Sequence, residues 1–259
     1  MIYFDSSKPN KYKDLKKLLV PHKLDSLTWE RFGKKDGSYV LAKELSHFEG
    51  NRILSYGVGD DPAGVSFETQ LSDEGDYVHA YDGSIDEFPK QIQGNIKFFK
   101  EFATADNFKD HIDLLLQEGD GHSQNILKMD IEGNEYDWLT EENLNLLSNN
   151  FNQFVIEVHS LIEEVPEGWV VEPQMIEAKK NPKKVKKFFE KLNKHFYLFH
   201  IHGNNHSPRY VDFPDSLELT YINKKVAKSF GHSLVSFPIV GLDEPNYNER
   251  EDYIIDWFL

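Results

Sequence analysis

The sequence predicts an α/β fold built on a mostly parallel, doubly wound sheet, and three observations predict it. Short apolar runs such as 126–129 and 154–156 are too brief for buried helices and suit strands covered on both faces. Between the runs lie stretches with helical periodicity, the clearest being Val185, Phe188, Phe189 and Leu192 at i, i+3, i+4 and i+7. Three runs also lead into acids or imidazoles: ILKMDIEGNE (126–135), FVIEVH (154–159) and FYLFHIHGNN (196–205). Ligands of open α/β sheets bind at the carboxyl ends of the strands, so Asp130, Glu157, His159 and His202 are expected to meet at one rim.

The elements follow in order. Tyr12, Leu15, Leu18 and Leu19 mark an amphipathic helix that Pro21 closes, and Asp36-Gly37 marks a turn within RFGKKDGSYVL (31–41). A first strand over 53–56 runs into a glycine-rich loop and a helix near 65–71. The second strand is Tyr77–Tyr81 and the third 97–103. Phe108, Ile112 and Leu115 line a helix, and 126–129 is the fourth strand. A helical stretch over 135–147 can be re-capped at Thr140. The fifth strand is 154–158, the sixth 197–201 and the seventh 217–222. The lysines of KKNPKKVKK (179–187) read as a solvated helix face. Residues 160–180, with prolines and Trp169, read as a lid over the rim. The expected organisation is a lead-in segment over 1–50, a core over 51–225 and an extension over 226–259.

Charge and composition narrow the partners. The net charge is −15, from 44 acidic against 29 basic residues, and such a surface repels phosphate backbones. The expected partner is therefore a small molecule or glycan rather than nucleic acid. With no cysteine, disulfides, thiolate nucleophiles and cysteine-zinc sites are all excluded. No segment has the apolar length of a signal peptide or a membrane span, so the expectation is a soluble, cytoplasmic protein.

YGVGDD (56–61) follows the first strand, and glycine there lets backbone approach a ligand closely. A dinucleotide fingerprint needs a small third residue at position 62, where this chain has Pro62. Asp60 and Asp61 also sit where a pyrophosphate would place negative charge. A cationic cofactor such as S-adenosylmethionine suits this loop better, with Asp82 at the end of the second strand holding the ribose hydroxyls. Asp106 is placed either near an adenine amino group or at a helix start.

At these residues the chain resembles FkbM-type and related methyltransferase-like proteins, a branch of the class I S-adenosylmethionine-dependent methyltransferases. The stretches that carry the resemblance are DGSYVL (36–41), YGVGDDPAGVSFE (56–68), VHAYDGS (78–84), LKMDIEGNEYDWL (127–139), FVIEVH (154–159) and HIHGNN (200–205). The resemblance implies a Rossmann-like sheet whose seventh strand runs antiparallel, and methyl transfer to a hydroxyl of a sugar or small metabolite. Its cofactor positions fall on Gly57, Gly59 and Asp82, with Glu68 and Asp36 as further carry-overs.

Methyl transfer to a hydroxyl requires the oxygen to be aligned and to lose its proton. A neutral imidazole, His159 or His202, can take that proton near pH 7. A divalent ion (Mg, Mn or Zn) held by Asp130, Glu157 and His202 would acidify the hydroxyl instead. His200 reads as a core residue, and His195 and His206 as surface ones; Glu135 is divided between a helix-start role and the site. The competing functions are a nucleotide-sugar enzyme using the same rim and a catalytically silent binding protein. That no G-x-S-x-G elbow follows a strand disfavours serine-hydrolase chemistry.

Overall fold

Seven strands build the central sheet: β1 (Arg52–Tyr56), β2 (Tyr77–Tyr81), β3 (Ile96–Phe99), β4 (Asn125–Met129), β5 (Gln153–Val158), β6 (Phe196–Gly203) and β7 (Leu217–Asn223). They are seen in a computed structural model that describes residues 12–48, 50–89, 94–119, 124–163 and 173–259. The order across the sheet is β3-β2-β1-β4-β5-β7-β6. Neighbours from β3 to β5 are parallel, and β7 runs antiparallel to both β5 and β6. The chain leaves β1 toward one edge and returns at β4 on the other side. Loops diverge at this switch point, and a crevice forms there.

Alternation along the strands splits the core into two layers. Leu54, Tyr56, Leu127, Met129, Phe154 and Ile156 face the helices Phe108–Leu115, Glu141–Asn150 and Pro182–His195. Ile53, Val78, Ala80, Ile126 and Val155 face the helix Ser66–Asp73 and the hairpin Trp29–Phe32/Tyr39–Ala42. Val185, Phe188, Phe189 and Leu192 are all buried, as their spacing predicts. Asn181 caps that helix through Lys184 N at 3.2 Å, and Pro182 opens it, where its missing N–H costs nothing. Thr140 re-caps as expected: helix Glu135–Trp138 ends, and Glu141–Asn150 starts with Asn143 N on the Thr140 hydroxyl at 3.1 Å.

One expectation changes. The third strand stops at Phe99 rather than 103, because Glu101 N turns back onto Phe99 O at 2.9 Å. Part of the expected lid, 164–172, lies outside the described residues. The helix Pro173–Lys179 follows it, with Met175 against Gly133. Lys179 anchors this helix: its ammonium contacts both oxygens of Asp215 at 2.6 and 2.7 Å and the Ile162 carbonyl at 3.0 Å.

The C-terminal segment is stitched to the sheet through His202. Its Nδ1 lies 3.0 Å from Glu218 on β7, and its Nε2 lies 3.0 Å from Asp252. Burial opposes charge on this ring, but the two carboxylates outweigh it and push its pKa up to about 10. Native His202 therefore stays protonated while an unfolded histidine loses its proton near 6.5. The clasp contributes fully below pH 6.5, and its contribution is lost as pH rises toward 10. We expect urea midpoints of the wild type to fall across that window by an amount that His202→Gln largely abolishes. Parallel pH profiles for the two proteins would refute the clasp.

Candidate active site

The cleft begins at Gly57, where β1 ends beside β4. Its φ is +70°, and a Cβ there would lie 1.6 Å from the Asp130 carbonyl oxygen. Only glycine allows that approach. The turn is then tied to β2: Gly57 N donates to Tyr81 O at 3.0 Å, and Val58 N to Asp82 Oδ2 at 3.0 Å. Asp82 Oδ1 accepts from the Ser84 amide and hydroxyl at 2.7 and 2.6 Å. A carboxylate oxygen carries two acceptor sites, so Oδ2 keeps one for a ligand.

Gly57 and Asp82 line a cavity of about 510 Å³, together with Gly83, Phe102, Thr104, Asp130, Glu132 and Trp138. Such a volume suits one drug-sized ligand. Gly83 admits Phe102 at the mouth, for a Cβ there would sit 2.4 Å from the ring. Among its described lining residues are four carboxylates (Asp82, Asp130, Glu132 and Asp137) and no lysine, arginine or histidine.

Other sequence-predicted cofactor residues do not line this cavity. Gly59 packs on Gly64, where a Cβ would lie 2.6 Å from the Gly64 Cα, so the third glycine of the loop is Gly64 and not position 62. Glu68 is fully buried behind the loop and accepts from Ser55 Oγ at 2.5 Å. It cannot reach a ligand in the cleft. Asp36 accepts from Asn246 at 2.9 Å, and its pKa is raised first by burial and then by the charge of Glu157. It belongs to the acidic rim. Asp106 is exposed, and Asn107, not Asp106, bonds Thr104 N ahead of helix Phe108–Leu115.

The rim itself centres on His159. Nδ1 lies 3.0 Å from Glu135, while Nε2 faces Glu157 at 3.4 Å, Glu132 at 3.7 Å and Asp130 at 3.8 Å. Burial disfavours the cation, but Glu135 and Glu157 outweigh it and hold the imidazole protonated well above the usual histidine range. With His202 held in the same way, neither ring in this arrangement is the neutral base that residue type alone suggested. The carboxylates diverge in the opposite sense to one another. Despite full burial, Glu157 is held ionised by His159, the Ser216 hydroxyl and the Asn204 amide. Asp130 is pushed well above the carboxylate range by burial and the adjacent Glu157 charge.

The expected metal trio is redrawn. His202 sits on β6, and β7 separates it from β5, so it does not join Asp130 and Glu157. Asp130, Glu132 and His159 instead bring one ligand atom each within 4.8 Å of the others. Sequence reasoning left out Glu132 and Glu218 and left Glu135 undecided. Glu218 was readable only by noting that an antiparallel seventh strand starts at this rim; its cross-strand partners are Glu157 and His202. Glu132 has φ +55° and precedes Gly133 at +99°, and Ser160 after His159 has +65°. Two of the five left-handed non-glycine positions among the described residues thus flank the imidazole.

No curated protein matches the chain. Among solved structures, the Methanococcus jannaschii fibrillarin pre-rRNA processing protein is 12% identical, with a TM-score of 0.38 over 68% of this chain and 67% of that one. A Clostridium thermocellum protein described as an rRNA methylase is 10% identical, with a TM-score of 0.37 over 70% of this chain and 91% of that one. At such scores neither bears on activity or acceptor. The family model of the methyltransferase FkbM domain matches residues 35–196, well over half of the chain. That span takes in the Gly57 turn, Asp82, Asp130 and His159, and by it the chain belongs to the FkbM methyltransferase family.

Proposed function

We propose that the chain transfers a methyl group from S-adenosylmethionine to a hydroxyl oxygen of a carbohydrate or other polar small molecule. The observation that carries this reading is the acidic lining of the cavity: four carboxyl groups, of which Asp137 is ion-paired with Lys184, and no described cationic side chain line it. A pyrophosphate-bearing cofactor would be repelled there, which counts against a nucleotide-sugar enzyme. S-adenosylmethionine brings a sulfonium methyl donor and an ammonium, and both complement the lining. Asp82 Oδ2 accepts from the ribose diol, and the Gly57 turn gives the ligand close access to the backbone. Residues 51–225 form the transfer domain in this proposal, and Asn246 and Asp252 of the following segment close the acceptor side. Among the described residues no helix is long and apolar enough to cross a membrane.

The proton of the acceptor hydroxyl goes to Asp130. Its carboxyl lines the cavity, and its proton affinity is raised by burial and by Glu157. In its ionised form a carboxylate tuned upward is the stronger base, so Asp130 acts from the fraction that has lost its proton. A second version adds a divalent ion at Asp130, Glu132 and His159 and is favoured by one specific observation. Glu135 occupies Nδ1 of His159, which leaves Nε2 facing Glu157 at 3.4 Å, with Glu132 and Asp130 just beyond at 3.7 and 3.8 Å. A carboxylate on the far ring nitrogen is the usual orienting partner of a metal-binding histidine. The oxygen-rich donor set with one imidazole suits Mn²⁺, Mg²⁺ or Zn²⁺, and such an ion lowers the pKa of a bound hydroxyl.

Asp82→Ala should weaken binding of S-adenosylhomocysteine roughly ten- to hundred-fold, equivalent to a charge-assisted hydrogen bond of about 1.5–3 kcal/mol. Calorimetry with a folded variant checks this, and unchanged affinity would remove Asp82 from the site. For the ion, Mn²⁺ binding followed by electron paramagnetic resonance should show one site that Asp130→Asn weakens at least about ten-fold. EDTA should abolish methyl transfer in the same samples. Transfer that persists in EDTA, with no bound Mn²⁺, leaves Asp130 as an unassisted base.

A further inference from the structure

Beneath the glycine turn lies a buried charged group that the proposed reaction does not use. Lys128 is on β4, directly opposite Ser55 of β1, and its side chain is 3% exposed. Its ammonium donates to the Gly57 carbonyl oxygen. It also lies 4.0 Å from Glu68 Oε1 and 5.3 Å from the centre of the Tyr39 ring. Ser55 Oγ donates to the same Glu68 oxygen at 2.5 Å, and the other, Oε2, is buried with no hydrogen-bond partner.

Taking a lysine and a glutamate out of water is costly, and an apolar pair of like volume is often neutral or stabilising in exchange. Stability alone gives little reason for charges here. Their geometry gives another. The peptide unit joining Gly57 to Val58 is gripped at both ends, its carbonyl by Lys128 and its amide by Asp82 Oδ2 at 3.0 Å. Without Lys128 that carbonyl would lose the cation that receives it. Rotation of the peptide would then carry the Val58 amide away from Asp82.

We propose that Lys128 is a positioning residue, neutralised by Glu68, that locks the 57–58 peptide in its ligand-ready orientation and so presents Asp82 to the cofactor. The link to S-adenosylmethionine rests on the reading above, but the locking does not. Lys128→Met should accelerate amide hydrogen exchange at Val58 and Gly59 at least about ten-fold, with exchange in β6 unchanged. In the same variant S-adenosylhomocysteine should bind about ten-fold more weakly, and Lys128→Arg should recover part of both effects. Should the single variant fold poorly, Lys128→Met/Glu68→Met removes both charges together and should still show fast exchange at Val58. Wild-type exchange at Val58 in either folded variant overturns the proposal. Acceleration of equal size in β6 also overturns it, since that marks a purely structural pair. A wild type that fails to bind S-adenosylhomocysteine overturns the cofactor reading alone, and the exchange data still decide the lock.

Discussion

The close passage of Gly57 over the Asp130 carbonyl is the contact on which the site depends. At that point β1 and β4 are adjacent and parallel, and the chain has no room for a side chain. The Val58 amide is thereby turned toward Asp82 on β2, and the Gly57 carbonyl toward Lys128 on β4. Strand order thus becomes ligand geometry: the crevice opens where β1 and β4 part, and the first peptide inside it has its orientation fixed by neighbours on both sides. Even the hairpin contributes, because a Cβ on Gly37 would strike the Ala63 carbonyl at 2.3 Å. That packing holds the far limb of the glycine loop.

Charge organises what lies beyond the crevice. Carboxylates from three strand ends, a helix start and the C-terminal segment converge on two imidazoles, and each imidazole is pinned between acids. Neighbouring acids then separate in behaviour: Glu157, with an imidazole and two neutral donors, stays ionised, while Asp130 and Glu218 are driven upward, first by burial and then by that ionised neighbour. Local partners rather than residue type decide which group carries a proton. A ligand that brings positive charge relieves the repulsion, and an anionic one adds to it.

Much of this was legible in the residues. Strand Tyr77–Tyr81 and the Val185–Leu192 stripe followed from pattern alone, because both are packed on continuous apolar surface. Gly57, Asp82 and Asp130 were found at the cleft because they end parallel strands. What failed shares a cause, which is tertiary. Glu68 looked like a cofactor ligand since it follows the glycine loop, yet it turns inward to meet Ser55 and Lys128. Lys128 carried no signal of its own, lying inside the strand run 126–129. His202 was grouped with Asp130 because sequence order hides β7 lying between β5 and β6. The rim residues Asn246 and Asp252 lie beyond the stretches that carry the family resemblance, where no motif marks them.

Glu132 places two selective pressures in opposition. Its left-handed backbone, at φ +55°, is tolerable to glycine and costs any other residue of order 1 kcal/mol. Glycine there would relax the turn and raise the melting temperature, yet it would strip a carboxylate from the cavity wall and an acid from the face of His159. Relaxing the backbone and keeping the acid are therefore alternatives at this position. A strained acid beside Gly133 holds charge in place at a local cost in stability.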